Sequence, residues 1–557
     1  MVKKHKPHYI PWIFRKVRRR IPVILFSAVL NVLISYSAVQ FALITKNVVN
    51  SAIGGDYDTL WRHAAVLIAL TLFRVFGVSL TNYLDINIRE DLERDFKRSI
   101  LQTILRTDYS VISRHHSGDL IQRMDADAAV VYEAVIGFFS GFTSILVSIV
   151  AAAAALMQIA PGFTLIFVLV AGLFGCAMVF LRRILKQLSK DASAANGRVS
   201  GFLHETISKL MVVQALDMAE EVEQRTNQVL DDRWKIRRRQ RNMQLFSRVG
   251  SSLLGTVGYL ATMVWCSFQI LAGRMTPGDL TAMTSLINTL EGSAVGLPMM
   301  LPRFFAITAA CDRIMELEAL PRQPDPDPAA ARAMYEKMTG FTAADLTFAY
   351  DRDPVMHDVT LTIPKGGLTV IVGQSGIGKS TLLKLLLGLY QPDSGSLSIE
   401  MPEGPVNVDR STRSLFSYAP QGNFLLSGTI RENLTFTNPR ASEDEIRAAL
   451  HASALDEYID TLPLGLETVL MENGAGLSEG QAQRLSLARA ILSGAPVLLL
   501  DEVTSALDAA TEATVLERIT ALPGKTCIAV THRPAALALA QNIIEVTENG
   551  MTISHSE

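Results

Sequence analysis

The sequence predicts a chain in two parts, an α-helical polytopic membrane domain of six spans with polar helical extensions and then an α/β domain. Three observations predict it. Six apolar runs, near residues 22–45, 61–84, 131–158, 162–181, 249–272 and 280–305, are each long enough to cross a hydrocarbon core of about 30 Å. Pro321-Arg-Gln-Pro-Asp-Pro-Asp-Pro328 then breaks any helix, because each proline lacks an N–H donor and restricts the residue before it. Beyond that break, short apolar runs alternate with helical runs, the pattern of an α/β domain. The reading gives a membrane domain over 1–320, a linker over 321–339 and an α/β domain over 340–557.

The stretch from Tyr9 to Arg20 mixes Trp12, Ile13 and Phe14 with basic residues and reads as a short helix on a membrane surface. Basic residues mark one side of the bilayer. They crowd the N-terminal stretch, the segment after the second span (Arg89, Arg94, Lys97, Arg98, Arg106) and the segment after the fourth (Arg182, Arg183, Lys186, Arg198 and a cluster from Arg233 to Arg241). The connection Gln158-Ile-Ala-Pro-Gly162 has no charge, and Gly273-Arg-Met-Thr-Pro-Gly278 has one arginine. By the positive-inside rule, both termini and the two long loops are cytoplasmic.

Composition agrees: 49% of the 557 residues are apolar and only 19% charged. A net charge of −2 gives no support to nucleic-acid binding. Cys176, Cys266, Cys311 and Cys527 are far apart without metal-ligand spacing, and read as unpaired thiols.

Chemistry concentrates in the second part. Leu368-Thr-Val-Ile-Val372, a buried-strand candidate, leads into Gly373-Gln-Ser375-Gly376-Ile-Gly378-Lys379-Ser380-Thr381 and then a helical run to Leu389. Strand, loop and helix in that order are what a phosphate loop requires. Its glycines let N–H groups converge on phosphate oxygens, and the helix N-terminus adds a favourable dipole. Lys379 would neutralise the β- and γ-phosphates, and the Ser380 hydroxyl would ligate Mg²⁺. A second apolar strand, Val497 to Leu500, ends in Asp501-Glu502. An acid at a strand's C-terminal end can hold Mg²⁺, and the adjacent Glu502 can orient or deprotonate an attacking water. His532 follows a third strand, Thr526 to Thr531. The second part is thus an α/β P-loop NTPase domain. Its ligands are ATP and Mg²⁺, and six spans exclude a soluble ATPase.

With these motifs in this order, the chain resembles an ATP-binding cassette (ABC) transporter half-subunit of the exporter type, over essentially its whole length. Leu477-Ser478-Glu479-Gly480-Gln481, ahead of Arg484, resembles the signature that in the family contacts the γ-phosphate of ATP held by the opposite subunit. The resemblance further implies that Tyr350 stacks on adenine and that Gln421 senses Mg²⁺ and couples to the membrane part. It makes Ser505-Ala-Leu-Asp508 the loop joining the two sites and His532 the γ-phosphate switch. Ser380, Gln421 and Asp501 form the implied Mg²⁺ set; Glu502, His532 and Lys379 form the implied catalytic set. Glu472 with Gly474 resembles a short exporter-specific motif. In the membrane half, Ser117-Gly-Asp-Leu120, Arg123 and Asp127 resemble the segment after the first coupling helix, and Asn196, Glu205 and Val212-Val-Gln-Ala215 the approach to the second. Two positions depart from the family pattern: Glu479 where glycine is commonest, and Asn473 where arginine is usual. Neither removes a catalytic group.

A signature that completes its partner's site makes one cassette incompetent, so the resemblance implies two subunits closing around two ATP molecules. A homodimer is the simpler expectation, since the chain carries its own Glu502 and His532. A heterodimer stays open, with Glu479 facing a partner that lacks the acid. The expected function is ATP-driven transport, exporting a small molecule, lipid or peptide from a bacterial inner membrane with the cassette in the cytoplasm. Import on an exporter-type fold, as of a metal chelate, one half of a heterodimeric multidrug exporter, and an ATP-gated channel are the alternatives. Ionisable groups within spans are costly and often mark a pathway. Arg74, Asn288 and Glu291 are therefore a candidate cargo cavity, with an interhelical Arg–Glu pair or snorkelling as the competing reading.

Overall fold

In the computed structural model the described backbone comprises residues 9–115, 117–323, 327–350, 354–374, 376–422, 424–471, 476–547 and 550–555. The chain forms two compact units, Met1–Gln102 with Ser117–Ala319, and Thr103–His116 with Leu320–Glu557.

The first unit is helical. A short helix, Tyr9–Val17, precedes six long ones: Ile21–Gly54, Tyr57–Arg106, Ser117–Ile159, Pro161–Ser208, Ala219–Leu271 and Pro277–Glu318. The single helices run to 34, 50, 48, 53 and 42 residues, where about 20 suffice to cross a bilayer, so polar extensions remain on most of them. Among the described residues, Tyr9–Gly54, Tyr57–Arg106 and Ser117–Ile159 are long and apolar enough to span, and Pro161–Val170 and Gly255–Leu271 are shorter apolar stretches. The fourth expected span continues into residues whose side chains lie outside the described set.

Local chemistry sets the helix ends. Gly55 adopts a left-handed φ of 69° and closes the first long helix. Pro161 opens the fourth, where its missing N–H costs nothing. Thr276 and Asp279 cap the sixth reciprocally. Ala42, Ala152, Leu156, Met283, Leu286 and Ile287 form an apolar cluster from the first, third and sixth helices, with alanines allowing close backbone approach. The N-terminal helix forms as the sequence predicts. Its Trp12 is buried, donating from the indole N–H to Glu318 at 2.9 Å with its ring 6.2 Å from that of Phe96.

The second unit is built on sheets. Its strands are β1 (Gly340–Ala349), β2 (Pro354–Pro364), β3 (Gly367–Gly373), β4 (Ser394–Glu400), β5 (Val406–Asn407) and β6 (Phe416–Ala419). They continue as β7 (Gly428–Thr429), β8 (Val469–Leu470), β9 (Val497–Asp501), β10 (Thr526–Val530), β11 (Asn542–Thr547) and β12 (Gly550–His555). Among the described residues the main sheet runs β12-β11-β3-β10-β9-β6, and a second runs β2-β1-β4-β5. Neighbours from β11 to β6 are parallel, with Val530 opposite both Ile371 and Asp501. Every residue of β9 and β10 is buried, which is why these strands read as continuous apolar runs rather than alternating ones. A helix at Pro328–Lys337 buries Ala331 and Tyr335 in this unit's core, with the Tyr335 hydroxyl 2.8 Å from that of Thr526.

The segment Thr103–His116 belongs to this second unit. Its four-residue helix Tyr109–Ile112 is capped by Asp108, which accepts from the Ser110 N–H at 2.9 Å. Arg410 donates to the Leu105 carbonyl at 3.3 Å, and Thr107 bridges to Arg322.

Candidate ATP site

Parallel strands end together, and ligands of open α/β sheets gather at those carboxyl ends. Here β3 ends at Gly373, β9 at Asp501 and β6 at Ala419. The phosphate loop follows β3. Gly376 and Gly378 take φ of 84° and 105°, conformations a side chain resists, and Gly378 opens the helix Lys379–Leu386. A Cβ on Gly378 would also meet Val355 at 3.0 Å. The Lys379 ammonium lies along the loop, donating to the carbonyls of Gly373 at 2.8 Å and Gln374 at 2.7 Å. Ser375 lies outside the described residues.

The Ser380 hydroxyl donates to Asp501 Oδ1 at 2.9 Å, and the Tyr418 hydroxyl donates to Asp501 Oδ2 at 3.0 Å. Burial and the neighbouring carboxylate hold the Tyr418 phenol well above its ordinary range, so it stays a donor. Glu502 follows with φ of 51°, rare for a residue with a side chain, and its N–H bonds to the Val530 carbonyl at 3.0 Å. Its carboxylate accepts from Gln421 Nε2 at 2.6 Å. Thr381 is buried on the helix with its hydroxyl 3.1 Å from that of Tyr350, while His532 is exposed after β10. Gly373, Gly376, Gly378, Lys379, Ser380, Thr381, Gln421, Asp501 and Glu502 thus lie around the carboxyl ends of the parallel strands, and Tyr350, just after β1 of the second sheet, joins them through Thr381. The hydroxyl and carboxylate paired at Ser380 and Asp501 are oxygen donors of the kind a small divalent cation takes.

The signature stands apart from that cluster. Ser478 caps the helix Glu479–Leu492, accepting from the Gln481 N–H at 3.3 Å, while the Gln481 side chain accepts from the Ser478 N–H at 2.8 Å. A Cβ on Gly480 would come within 3.1 Å of the Ala506 carbonyl. Ser478, Glu479, Gly480 and Asp508 line an open concavity of about 550 Å³ with Arg484 and Thr511. Asp508 caps the next helix, accepting from the Thr511 N–H at 3.0 Å, and these bonds hold its carboxyl below the usual range. Glu472, Asn473 and Gly474 lie outside the described residues.

Several residues that sequence reasoning passes over hold these loops. Buried Gln483 donates to Ser505 Oγ and accepts from the Ala506 N–H, both at 3.1 Å. Glu512, 2% exposed, accepts from the Thr504 hydroxyl at 2.8 Å. Arg533, next to His532, donates to the Ser505 carbonyl. In the membrane unit, Arg74 lies over the Phe41 ring at 5.6 Å, Glu291 packs against Gly255, and Asn288 is exposed. Among the described residues, Arg74 and Glu291 form no ion pair.

Residues 23–294 match the ABC transporter transmembrane region, and residues 356–505 match the family described as ABC transporter. The mycobactin import ATP-binding/permease protein IrtB of Mycolicibacterium thermoresistibile is 34% identical over 410 residues, covering 71% of this chain and 69% of that protein. The ATP-dependent lipid A-core flippase of Desulfotalea psychrophila is 27% identical over 510 residues, covering 90% and 88%. A bacterial Atm1-family ABC exporter solved with ATP bound has the same fold, with a TM-score of 0.80 over 96% of this chain and 95% of that one at 21% identity. The chain therefore belongs to the ABC transporter family, as an integral membrane half-subunit of exporter-type architecture that dimerises and couples ATP hydrolysis to transport.

Proposed function

We propose that two copies of this chain export a small molecule, lipid or peptide, each binding ATP at its own phosphate loop and completing the other's site with Ser478 and Gly480. The observation that carries this reading is the pair of acids ending β9, with Asp501 on Ser380 and Glu502 on Gln421. Lys379 and the loop N–H groups hold the phosphates, and Tyr350 carries the adenine. Mg²⁺, held by Ser380, Gln421 and Asp501, would neutralise charge on the phosphate oxygens. Glu502 takes a proton from the attacking water, and His532 contacts the γ-phosphate. Closure of the two cassettes turns the membrane helices outward, and phosphate loss resets them. Both termini and the cassette are cytoplasmic in a bacterial inner membrane, following the distribution of basic residues.

The relatives differ in direction, one being a flippase and the other an import protein, so import is the second reading. Transport into inverted membrane vesicles, in which the cassette faces the added ATP, tests the choice. Accumulation inside the vesicles supports export. ATP-driven release of preloaded cargo supports import.

A further inference from the structure

The second unit contains a run of four aromatic rings linking the loop 103–116 to the phosphate-loop helix. Tyr109 meets Tyr390 with ring centroids 5.6 Å apart at 85°, and Tyr390 meets Tyr350 at 5.2 Å and 89°. Phe348 packs on both, 5.4 Å from Tyr390 and 5.1 Å from Tyr350. The Tyr350 hydroxyl then reaches Thr381. The Tyr109–Tyr390, Tyr390–Tyr350 and Phe348–Tyr350 pairs are near-perpendicular and sit in the edge-to-face well, where one ring's positive edge meets the other's negative face. Such a contact fixes orientation as well as separation.

The backbone clamps the middle of the run. Arg413 donates to the carbonyls of Leu387 at 2.9 Å and Gly388 at 2.8 Å, just before Tyr390. Gly388 has φ of 58°, and a Cβ there would lie 2.5 Å from the Asp409 backbone, so only glycine makes this turn. Asp393 accepts from the Ala349 N–H at 2.8 Å, tying the chain after Tyr390 to the residue before Tyr350. The two end rings are the open ones, Tyr350 at 40% and Tyr109 at 43% exposure. An open ring gains little orientation from burial, so its neighbour must supply it.

We propose that Tyr390 is a positioning residue for nucleotide binding: it holds Tyr350 in place and is itself held by Tyr109, so that the seating of the 103–116 loop sets the site's affinity for the adenine base. This rests on the reading of Tyr350 as the adenine platform. The triphosphate is gripped by the phosphate loop, so the run is expected to affect it less than the base.

The test uses the full-length protein and two probes, MgATP and magnesium tripolyphosphate, which lacks the base. Tyr390→Leu and Tyr109→Leu are expected to weaken ATP binding by about three- to tenfold and tripolyphosphate by less than about twofold, with KM for ATP rising more than kcat falls. Tyr390→Phe keeps the ring and retains the affinity. Tyr109→Leu in a Tyr350→Ala background adds no further loss, because the platform it acts through is gone. Should Tyr390→Leu not fold, Tyr109→Leu, at an exposed ring, carries the same test. Parental ATP affinity in the Leu variants, or an equal loss of both probes, overturns the proposal. Parental ATP affinity in Tyr350→Ala itself instead overturns the adenine reading on which it rests.

Discussion

Gln421 Nε2 donates to Glu502 Oε2 at 2.6 Å, joining the loop after β6 to the residue that follows β9. The bond holds the carboxylate of a residue already in a left-handed conformation, with φ of 51°. Removing the amide frees the carboxylate to turn away from the phosphate loop. Gln421→Ala is expected to lower kcat of ATP hydrolysis by roughly tenfold while ATP binding changes less, since positioning of a general base is worth a fraction of the base itself. Steady-state kinetics beside equilibrium nucleotide binding measures both.

Ser478 caps a helix and is proposed to serve the partner's ATP, and substitution can separate the two. As an N-cap it satisfies the Gln481 N–H, and Ser478→Ala should cost about 0.5–2 kcal/mol of cassette stability. Asparagine caps as well as serine, so Ser478→Asn should restore stability. Its bulkier amide in the concavity should still depress turnover of the dimer. Thermal unfolding followed beside ATPase rate distinguishes the two effects.

Asp508 makes one helix cap of the cassette sensitive to acid. Hydrogen bonds from Thr511 depress its carboxyl in the folded state. A depressed acid contributes stability that is fully present above its unfolded pKa of about 3.9 and is lost as pH falls through the lower folded value. Wild-type protein should therefore lose melting temperature below that point faster than Asp508→Asn, whose cap does not titrate. Differential scanning measurements from pH 5 to pH 3 compare them.

Arg74 and Glu291 are expected to act separately. Arg74 sits over Phe41 and Glu291 against Gly255, where a Cβ would lie 1.6 Å from Glu291 Oε1. Their alanine variants should be additive in transport and stability, with a coupling energy below about 0.5 kcal/mol. A full double-mutant cycle reads this directly.

The phosphate loop and the acids of β9 were legible because their chemistry is local. Glycine spacing with a lysine and a hydroxyl at a helix start falls within one short loop, and the two acids are adjacent at the end of a strand, so each motif reads on its own. The helices of the membrane unit were equally plain from their apolar runs. What stayed hidden depends on residues distant in sequence. Tyr418 becomes a partner of Asp501 only through the β6–β9 pairing. Glu512 looks like a surface acid of an amphipathic helix until Thr504 and its burial are seen. Tyr390 follows the phosphate-loop helix without any motif of its own, and Tyr109 reaches it across nearly three hundred residues. The signature shows the converse. The resemblance implied a ligand contact there, and within one chain Ser478 and Gln481 form a helix cap.

We propose that this chain cuts ATP with Glu502 inside a two-subunit site. Glu502→Gln keeps the shape of the side chain and removes the base. The most direct measurement is ATP turnover of purified wild-type and Glu502→Gln dimers, with bound nucleotide counted in the same samples. The variant should retain ATP, stay as a nucleotide-loaded dimer, and turn over at least about a hundredfold more slowly. Hydrolysis at the parental rate would contradict it.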